Sequence, residues 1–248
     1  MANLVIDIGN SFTKIAVFSF SELIWTKSYV DIDNQLIDDV LNDFKPLKAI
    51  LSTVKKQHTE TWEAYLSTRL QVVKFKATMA KSIKNHYRTP QTLGADRLAA
   101  VAGARALYPG SSNMVIDAGT CITYDWVDKE GNYFGGSISP GLNMRYKALN
   151  YYTAALPLLE ADMQFNANSG DDTQTAIRSG VQNGIRFEVD GFIQSYFNTG
   201  APMNILLTGG DSIFFDTLLK NSIFAAHIKI EPHLVLSGLN AVIQQHND

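Results

Sequence analysis

The chain has a single cysteine, Cys121, among 248 residues, so no internal disulfide can form and a reducing compartment suits it. It has no block of lysine and arginine, and its formal net charge is −3. That balance argues against a nucleic-acid binder while leaving a local basic pocket open. No run approaches the roughly 18 uninterrupted apolar residues of a membrane-spanning helix. No basic leader with a small-residue cleavage site precedes the first strand-like segment. The five histidines show neither H-x3-H nor H-E-x-x-H spacing, so a zinc centre is not expected. A Walker loop and a G-x-G-x-x-G turn are both missing, which leaves P-loop and Rossmann readings without support. The expectation is a soluble cytoplasmic protein that partners neither nucleic acid nor membrane.

What is present is an internal echo. "LVIDIGNSFTKIAV" near the start and "MVIDAGTCITYDWV" further on share one design: an apolar strand, an acid, a glycine turn and a second strand. At an offset of 110 positions (117 minus 7), Asp7 matches Asp117, Gly9 matches Gly119 and Thr13 matches Thr123. A repeat of this kind constrains the whole architecture. Residues 3–8 and 12–20 read as paired strands, "ELIWTKSYV" as a third and "NQLIDDVLNDF" as a helix. "KAILSTV" and "QVVKF" read as strands around a helix over 58–70, and "KKQH" at 55–58 as a solvated face. Residues 77–95 read as loop, followed by the alanine-rich helix "DRLAAVAGARALY", which opens on an acid.

The turn formers "PGSSN" set a boundary, dividing the chain into 1–109 and 110–248. Beyond it the strand pattern restarts with "MVIDAG", "TCITYDWV" and "YFGGSIS", and "SPGL" turns into a helix. A long helix begins near Thr173, with Ile177, Val181, Ile185, Val189 and Ile193 forming a stripe at every fourth residue. Gly180 and Gly184 share that spacing, which predicts a second backbone packed close. "NILLTGG" is a buried strand ending in a glycine pair, and "LVLSGLNAVIQQ" a closing helix. The fold expected is α/β, with two halves of mixed sheet, each led by an antiparallel strand pair with an Asp-x-Gly turn.

Glycine after a buried strand lets a ligand approach the backbone, and the amides of such a turn form a concavity suited to phosphate oxygens. Asp7 and Asp117 each place a carboxylate at such a turn, where it can hold Mg²⁺ beside bound phosphates. Lys14 is near enough in sequence for its ammonium to reach a phosphate. Hairpins of ordinary turn chemistry also carry Asp-Gly and Gly-Asn pairs. Repetition after a buried-type strand favours the phosphate reading.

With these motifs in hand, the chain resembles the superfamily of acetate and sugar kinases, heat-shock chaperones and actin. Within it, "YRTPQTLGADR" at 87–97 matches the Y-x-x-P-x-x-L-G-x-D-R pattern of the type III pantothenate kinases. "DIGNS", "VIDAGT", "GGSISPGL", "TGGDS" and "LVLSGL" agree along the whole length. The resemblance implies a duplicated actin-like (ribonuclease H-like) fold around a nucleotide cleft, and ATP-dependent phosphorylation of pantothenate, the first step of coenzyme A biosynthesis. It implies a homodimer, whose partner subunit helps to close the substrate pocket. Carried over by position, Asp7, Ile8, Gly9, Asn10, Ser11, Phe12, Thr13 and Lys14 handle the ATP phosphates, with Thr120 from the second turn. Asp7 is also a candidate for Mg²⁺, and Asp117 corresponds to a monovalent-cation ligand for K⁺ or NH₄⁺. Gly94, Ala95, Asp96 and Arg97 form the pantothenate segment, with Asp96 as proton acceptor and Tyr87 and Thr173 as substrate contacts. Ser11, Leu98 and Asp172 depart from the family's usual threonine, tryptophan and asparagine.

Plainer roles stand beside these. Asp96 reads equally as a helix N-cap, Thr173 as the cap of its own helix, and Arg97 as a surface ion-pair partner. Tyr87 reads also as a half-buried loop aromatic, Asp117 as a turn-orienting group, and Cys121 as a small buried hydrophobe. Two other functions compete: a kinase for another small hydroxylated substrate, or a nucleotide-dependent regulatory protein of the actin-like superfamily. The second needs ATP binding but no base on the acceptor side.

Overall fold

The computed structural model describes residues 2–53, 61–197 and 203–246. The start of the helix expected over 58–70 and the "KKQH" stretch lie outside the described residues. By its internal contacts the chain divides into two units. One comprises the residues up to Gly110, Gly131–Phe134 and those from His233 on; the other comprises Ser111–Glu130 and Gly135–Pro232.

The first unit opens with β1 (Ala2–Ile8), β2 (Thr13–Ser19) and β3 (Glu22–Tyr29). Helix α1 (Asn34–Phe44) follows, because Asp33 caps it by accepting the Leu36 N–H at 2.8 Å. It stops at Lys45, which turns left-handed with φ 46°. Next come β4 (Lys48–Thr53), α2 (Thr61–Ser67), β5 (Gln71–Lys74), a short strand β6 (Lys84–Asn85) within the expected loop, and α3 (Ala95–Leu107). The sheet order is β3-β2-β1-β4-β5, antiparallel for the hairpins and parallel across β1–β4–β5. β1 is buried on both faces, hence its unbroken apolar run. Leu4, Ile6 and Ile8 join a core with Ile37, Val40, Trp62 and Leu66 of α1 and α2.

The second unit repeats the plan with β7 (Ser112–Ala118), β8 (Cys121–Val127) and β9 (Asn132–Pro140). Then come α4 (Leu142–Tyr151), α5 (Thr173–Arg178), a π-helical turn at Ser179–Asn183, and α6 (Gly184–Phe197). β10 (Met203–Thr208), α7 (Ser212–Leu219) and β11 (Ile228–Ile230) complete it. Its sheet runs β11-β10-β7-β8-β9, the first sheet's order strand for strand; β6 joins at Asn132 and Tyr133, the part of β9 that groups with the first unit. The last helix, α8 (Leu234–Gln245), packs in the first unit. The contact division thus falls after Gly110, next to the expected 109/110 boundary, but residues 131–134 and the closing helix group with the first unit.

Two expectations about spacing need correction. Thr13 and Thr123 are not equivalent, because Thr13 pairs with Ile8 whereas Thr123 pairs with Asp117. The second hairpin loop is one residue shorter, so the partner of Asp7 is Lys14 and that of Asp117 is Thr123. The glycines of the long helix meet no second backbone: a Cβ at Gly180 or Gly184 would have nothing within 4 Å. The intimate pair is Gly103 of α3 with Gly238 of α8, where a Cβ on either would overlap backbone of the other helix. The stripe Ile177 to Ile193 is buried throughout. A strict four-residue repeat would drift round an α-helix of 3.6 residues per turn, and the wider π turn takes up part of that drift.

Candidate active site

The strand register builds the first half of the site. On one face of the first sheet, Lys14 lies opposite Asp7 across the β1–β2 pair, and Ser52 lies level with Asp7 across the parallel β1–β4 pair. The same face carries Asn3 and Lys48, which bond to Asn240 and to the Ile243 carbonyl of α8. Asp7 is therefore drawn inside with its strand and is only 8% exposed. Burial pushes its carboxyl up to about 6; the Lys14 ammonium opposes the rise, the Asp96 carboxylate adds to it, and the Ser52 hydroxyl slightly opposes it. Ser52 nevertheless stands outside hydrogen-bond geometry, since Asp7 Oδ1 and Ser52 Oγ are both buried without a partner. Beyond Asp7 the loop closes by Gly9 N–H donating to the Phe12 carbonyl at 3.0 Å, leaving Asn10, Ser11 and Phe12 exposed. His233, at the start of α8, is held below the usual imidazole range by partial burial and by Lys14.

Asp96 belongs to the same unit and is near enough to act on Asp7. It does not cap α3. Gly94 is the N-cap, and Asp96 sits in the first turn with its Oδ1 accepting the Arg97 N–H at 2.8 Å. A Cβ on Gly94 would overlap that same oxygen. Arg97 is no surface residue, at 6% exposed, and its guanidinium lies 5.8 Å from the Tyr87 ring centroid. Tyr87 in turn stacks on Tyr133 with centroids 6.5 Å apart. Ala95 opens α3, and Leu98, where a tryptophan was the family expectation, is buried behind the site.

In the second unit the Asp117 turn closes on itself and two further loops converge on it. Gly119 N–H bonds to the Cys121 carbonyl, Gly141 N–H to the Thr120 carbonyl and Asp211 N–H to the Ala118 carbonyl, at 3.0, 3.1 and 2.9 Å. Gly209, with φ 95°, lies where any Cβ would overlap Asp117 Oδ1 and the Ala118 carbonyl. "GGSISPGL" and "TGGDS" are thus the walls of this turn. Behind them Arg145 bonds to the Pro140 carbonyl, Ser139 and Glu188, and Tyr124 donates to Glu188. Thr120 is exposed and Cys121 half-buried rather than buried. Thr173 is exposed at the first position of α5, and the cap is Asp172, which accepts the Thr175 N–H at 2.7 Å. Those bonds hold the Asp172 carboxyl below the usual carboxylate range, so its negative charge is engaged by the helix start.

These residues suit a nucleotide. A buried carboxylate oxygen without a partner, beside a lysine and an open glycine turn, is a donor set that fits a hydrated divalent cation with phosphates. The family comparison decides which nucleotide enzyme this is: a model described as type III pantothenate kinase matches residues 3–195. The chain belongs to the type III pantothenate kinase family. A type III pantothenate kinase from Cytophaga hutchinsonii is 41% identical over 241 residues, covering 97% of this chain and 98% of its own. One from Bacteroides fragilis is also 41% identical, covering 99% and 98%. Among solved structures, a candidate Baf family transcriptional activator from Campylobacter jejuni aligns with TM-score 0.62 and 22% identity over 98% of each chain. A candidate N-acetylmannosamine kinase from Listeria monocytogenes aligns with TM-score 0.53 and 15% identity over 100% of both. At such identities they speak for the fold alone, and the fold is the duplicated actin-like one.

For a type III pantothenate kinase, two features had only faint sequence signals. Ser52 could have been found by noting that β4 ends level with β1, which needs the parallel pairing. Gly141 and Gly209 were visible only as family motifs, not as close approaches to the Asp117 turn.

Proposed function

We propose that this chain transfers the terminal phosphoryl group of ATP to the primary hydroxyl of pantothenate, the first step toward coenzyme A, with Asp96 taking the hydroxyl proton. The observation that carries this reading is the pairing of two acids in one unit: Asp7 at the phosphate turn and Asp96 at the start of α3, whose carboxylate is near enough to help raise that of Asp7. One serves the donor side and the other the acceptor side. Phosphoryl transfer asks for in-line positioning, charge neutralisation and a proton acceptor. The loop from Asp7 to Lys14 supplies amides and an ammonium for the phosphates, and Thr120 is assigned the same task from the second turn. Mg²⁺ bound with the phosphates would neutralise charge on the transferred group, and Asp7 is the residue to hold it. Asp117 is assigned a monovalent cation, K⁺ or NH₄⁺.

On the acceptor side Asp96 accepts the proton as the hydroxyl oxygen bonds to the γ-phosphorus and the bond to the ADP oxygen breaks. Gly94 and Ala95 leave room for the substrate beside it. Arg97 under Tyr87 offers a cation whose fork matches the pantothenate carboxylate, and Thr173 is assigned a further contact. The reading includes a cytoplasmic homodimer. No described helix is long and apolar enough to cross a membrane, and Tyr151 and Tyr152 at the end of α4 are exposed.

The test is ADP release in Mg²⁺ buffer with and without pantothenate, comparing K⁺ or NH₄⁺ with Na⁺. Pantothenate-dependent turnover that rises with K⁺ or NH₄⁺ is expected; ATP consumption indifferent to pantothenate would overturn the assignment. Asp96→Asn should lower kcat by roughly 10²–10⁴, the usual scale of a general base, and near-wild-type turnover would remove the proton-acceptor role.

A further inference from the structure

We propose that Ser52 is a positioning residue for the divalent cation that accompanies the nucleotide, its hydroxyl and the Asp7 carboxylate together holding the cation's hydration shell. The inference rests on the reading of Asp7 as a phosphate-side residue. It comes from the sheet. Ser28, Lys14, Asp7 and Ser52 form one polar row across β3, β2, β1 and β4 at the same level. Strands in such a ladder lie about 4.8 Å apart, and residues in register share a face. That face packs on α8, as the Asn3–Asn240 bond shows.

Ser52 is the most buried member that is polar, at 1% exposed, and Asp7 is at 8%. Elsewhere in the molecule buried hydroxyls, such as those of Tyr124 and Tyr146, are hydrogen-bonded to Glu188 and Gln182. Here a hydroxyl and a carboxylate oxygen stand side by side, both buried and both without a partner. Buried polar groups in native proteins are normally satisfied, and one that is not calls for an explanation, a bound ion or its water among them. A hydroxyl offers one donor and two acceptor lone pairs, a carboxylate only acceptors. Mg²⁺ keeps several waters and takes few protein oxygens when it binds with phosphates. Its waters donate to oxygens, and Ser52 and Asp7 present two such oxygens. One step back on this face the paired Val5 and Ile50 are apolar. Ser52 follows the buried apolar residues Ala49, Ile50 and Leu51 of β4 and so has a use that its strand does not require.

The experiment uses the full chain with Mn²⁺ as the probe, read by its electron paramagnetic resonance signal in the presence of a non-hydrolysable ATP analogue. Ser52→Ala and the volume-conserving Ser52→Cys should weaken Mn²⁺ binding about tenfold, the low end for losing a group that orients a ligating carboxylate or its waters. Ser52→Thr, which restores the hydroxyl, should recover it. Binding of the analogue in EDTA should match wild type in all three, a result that a merely structural role would not give. Unchanged Mn²⁺ affinity in both Ser52→Ala and Ser52→Cys overturns the proposal, as does an equal loss of analogue binding without metal. Asp7→Asn separates this failure from that of the underlying reading. If Asp7→Asn loses Mn²⁺ while the Ser52 variants keep it, only the role of Ser52 falls. If Asp7→Asn also binds as wild type, the assignment of Asp7 falls with it.

Discussion

Gly94 has an ordinary backbone angle, φ −57°, so its identity answers to space and not to conformation. A methyl group there would overlap the Asp96 oxygen that accepts the Arg97 N–H. The obstructed atom is the end of a short side chain, which can swing aside at little cost to the fold. Gly94→Ala should therefore lower kcat by tenfold or more, since misplacing a reacting group by about 1 Å can cost 10² in rate. Its melting temperature should stay near wild type; a large drop in Tm would show that Gly94 serves packing instead. Asp7 gives the opposite combination. Burial raises its folded carboxyl to about 6 from the ordinary 3.8, so between those values the folded state holds more protons than the unfolded. Its contribution is fully present below pH 3.8 and is lost as pH rises through 6. The gap is worth roughly 3 kcal/mol above that range. Asp7→Asn removes the ionisation, so without ligands the variant should be more stable than wild type at pH 7 to 8 by up to about 3 kcal/mol. That advantage should shrink toward pH 4, and Mg²⁺ with ATP should stabilise the variant less than wild type. Denaturant melts across pH decide; an advantage constant with pH would rule out titration of Asp7 as its origin.

At the scale of elements, four helical glycines make a paired test. Gly103 and Gly238 are where α3 and α8 touch backbone to backbone, whereas Gly180 and Gly184 face open space. Overpacking a close contact costs typically 1–3 kcal/mol or more. An unobstructed helical glycine replaced by alanine gains roughly 0.5–1 kcal/mol. Gly103→Ala and Gly238→Ala should thus lower Tm by several degrees, and Gly180→Ala and Gly184→Ala should hold or raise it. If all four behave alike, the α3–α8 approach is not as close as described. The same comparison shows what the sequence could and could not disclose. Strands, helices and the doubled Asp-x-Gly hairpin were legible, because alternation and apolar runs are local signals. So was Asp96, through its motif. Glycines at four-residue spacing look alike whether they touch a neighbour or not, since contact depends on an element more than a hundred residues away. The Thr13/Thr123 match misled for a related reason: identity of letters ignores a loop shorter by one residue, and pairing register, not offset, sets equivalence. Ser52 was illegible because its meaning lies in the β1–β4 pairing. The capping of α5 by Asp172 was one position off, as helix starts commonly are.

Across the whole molecule the duplication is complete in strand order but not in the bookkeeping of helices. Both sheets run hairpin, then parallel crossovers, in the same sequence of neighbours. α3 closes the first copy and α8 follows the second, yet α8 groups with the first unit. Five of its aliphatic side chains, Leu234, Leu236, Leu239, Val242 and Ile243, are buried. At roughly 1.5–3 kcal/mol each they amount to about 10 kcal/mol, comparable to the entire stability of a domain. The first unit therefore cannot be complete until the end of the chain has been made. A fragment ending at Gly110 should show no cooperative thermal transition and should bind a hydrophobic dye, because the apolar side of α3 and the Asn3 face of the sheet lack their cover. The same fragment joined through a flexible glycine-serine linker to residues 231–248 should regain a cooperative transition, since the linker restores α8 as an intramolecular partner. Circular dichroism melts of the two fragments decide. If the fragment without α8 melts as cooperatively as the linked one, then α8 is an ornament on a self-sufficient half, and the glycine contact between α3 and α8 cannot be what completes it.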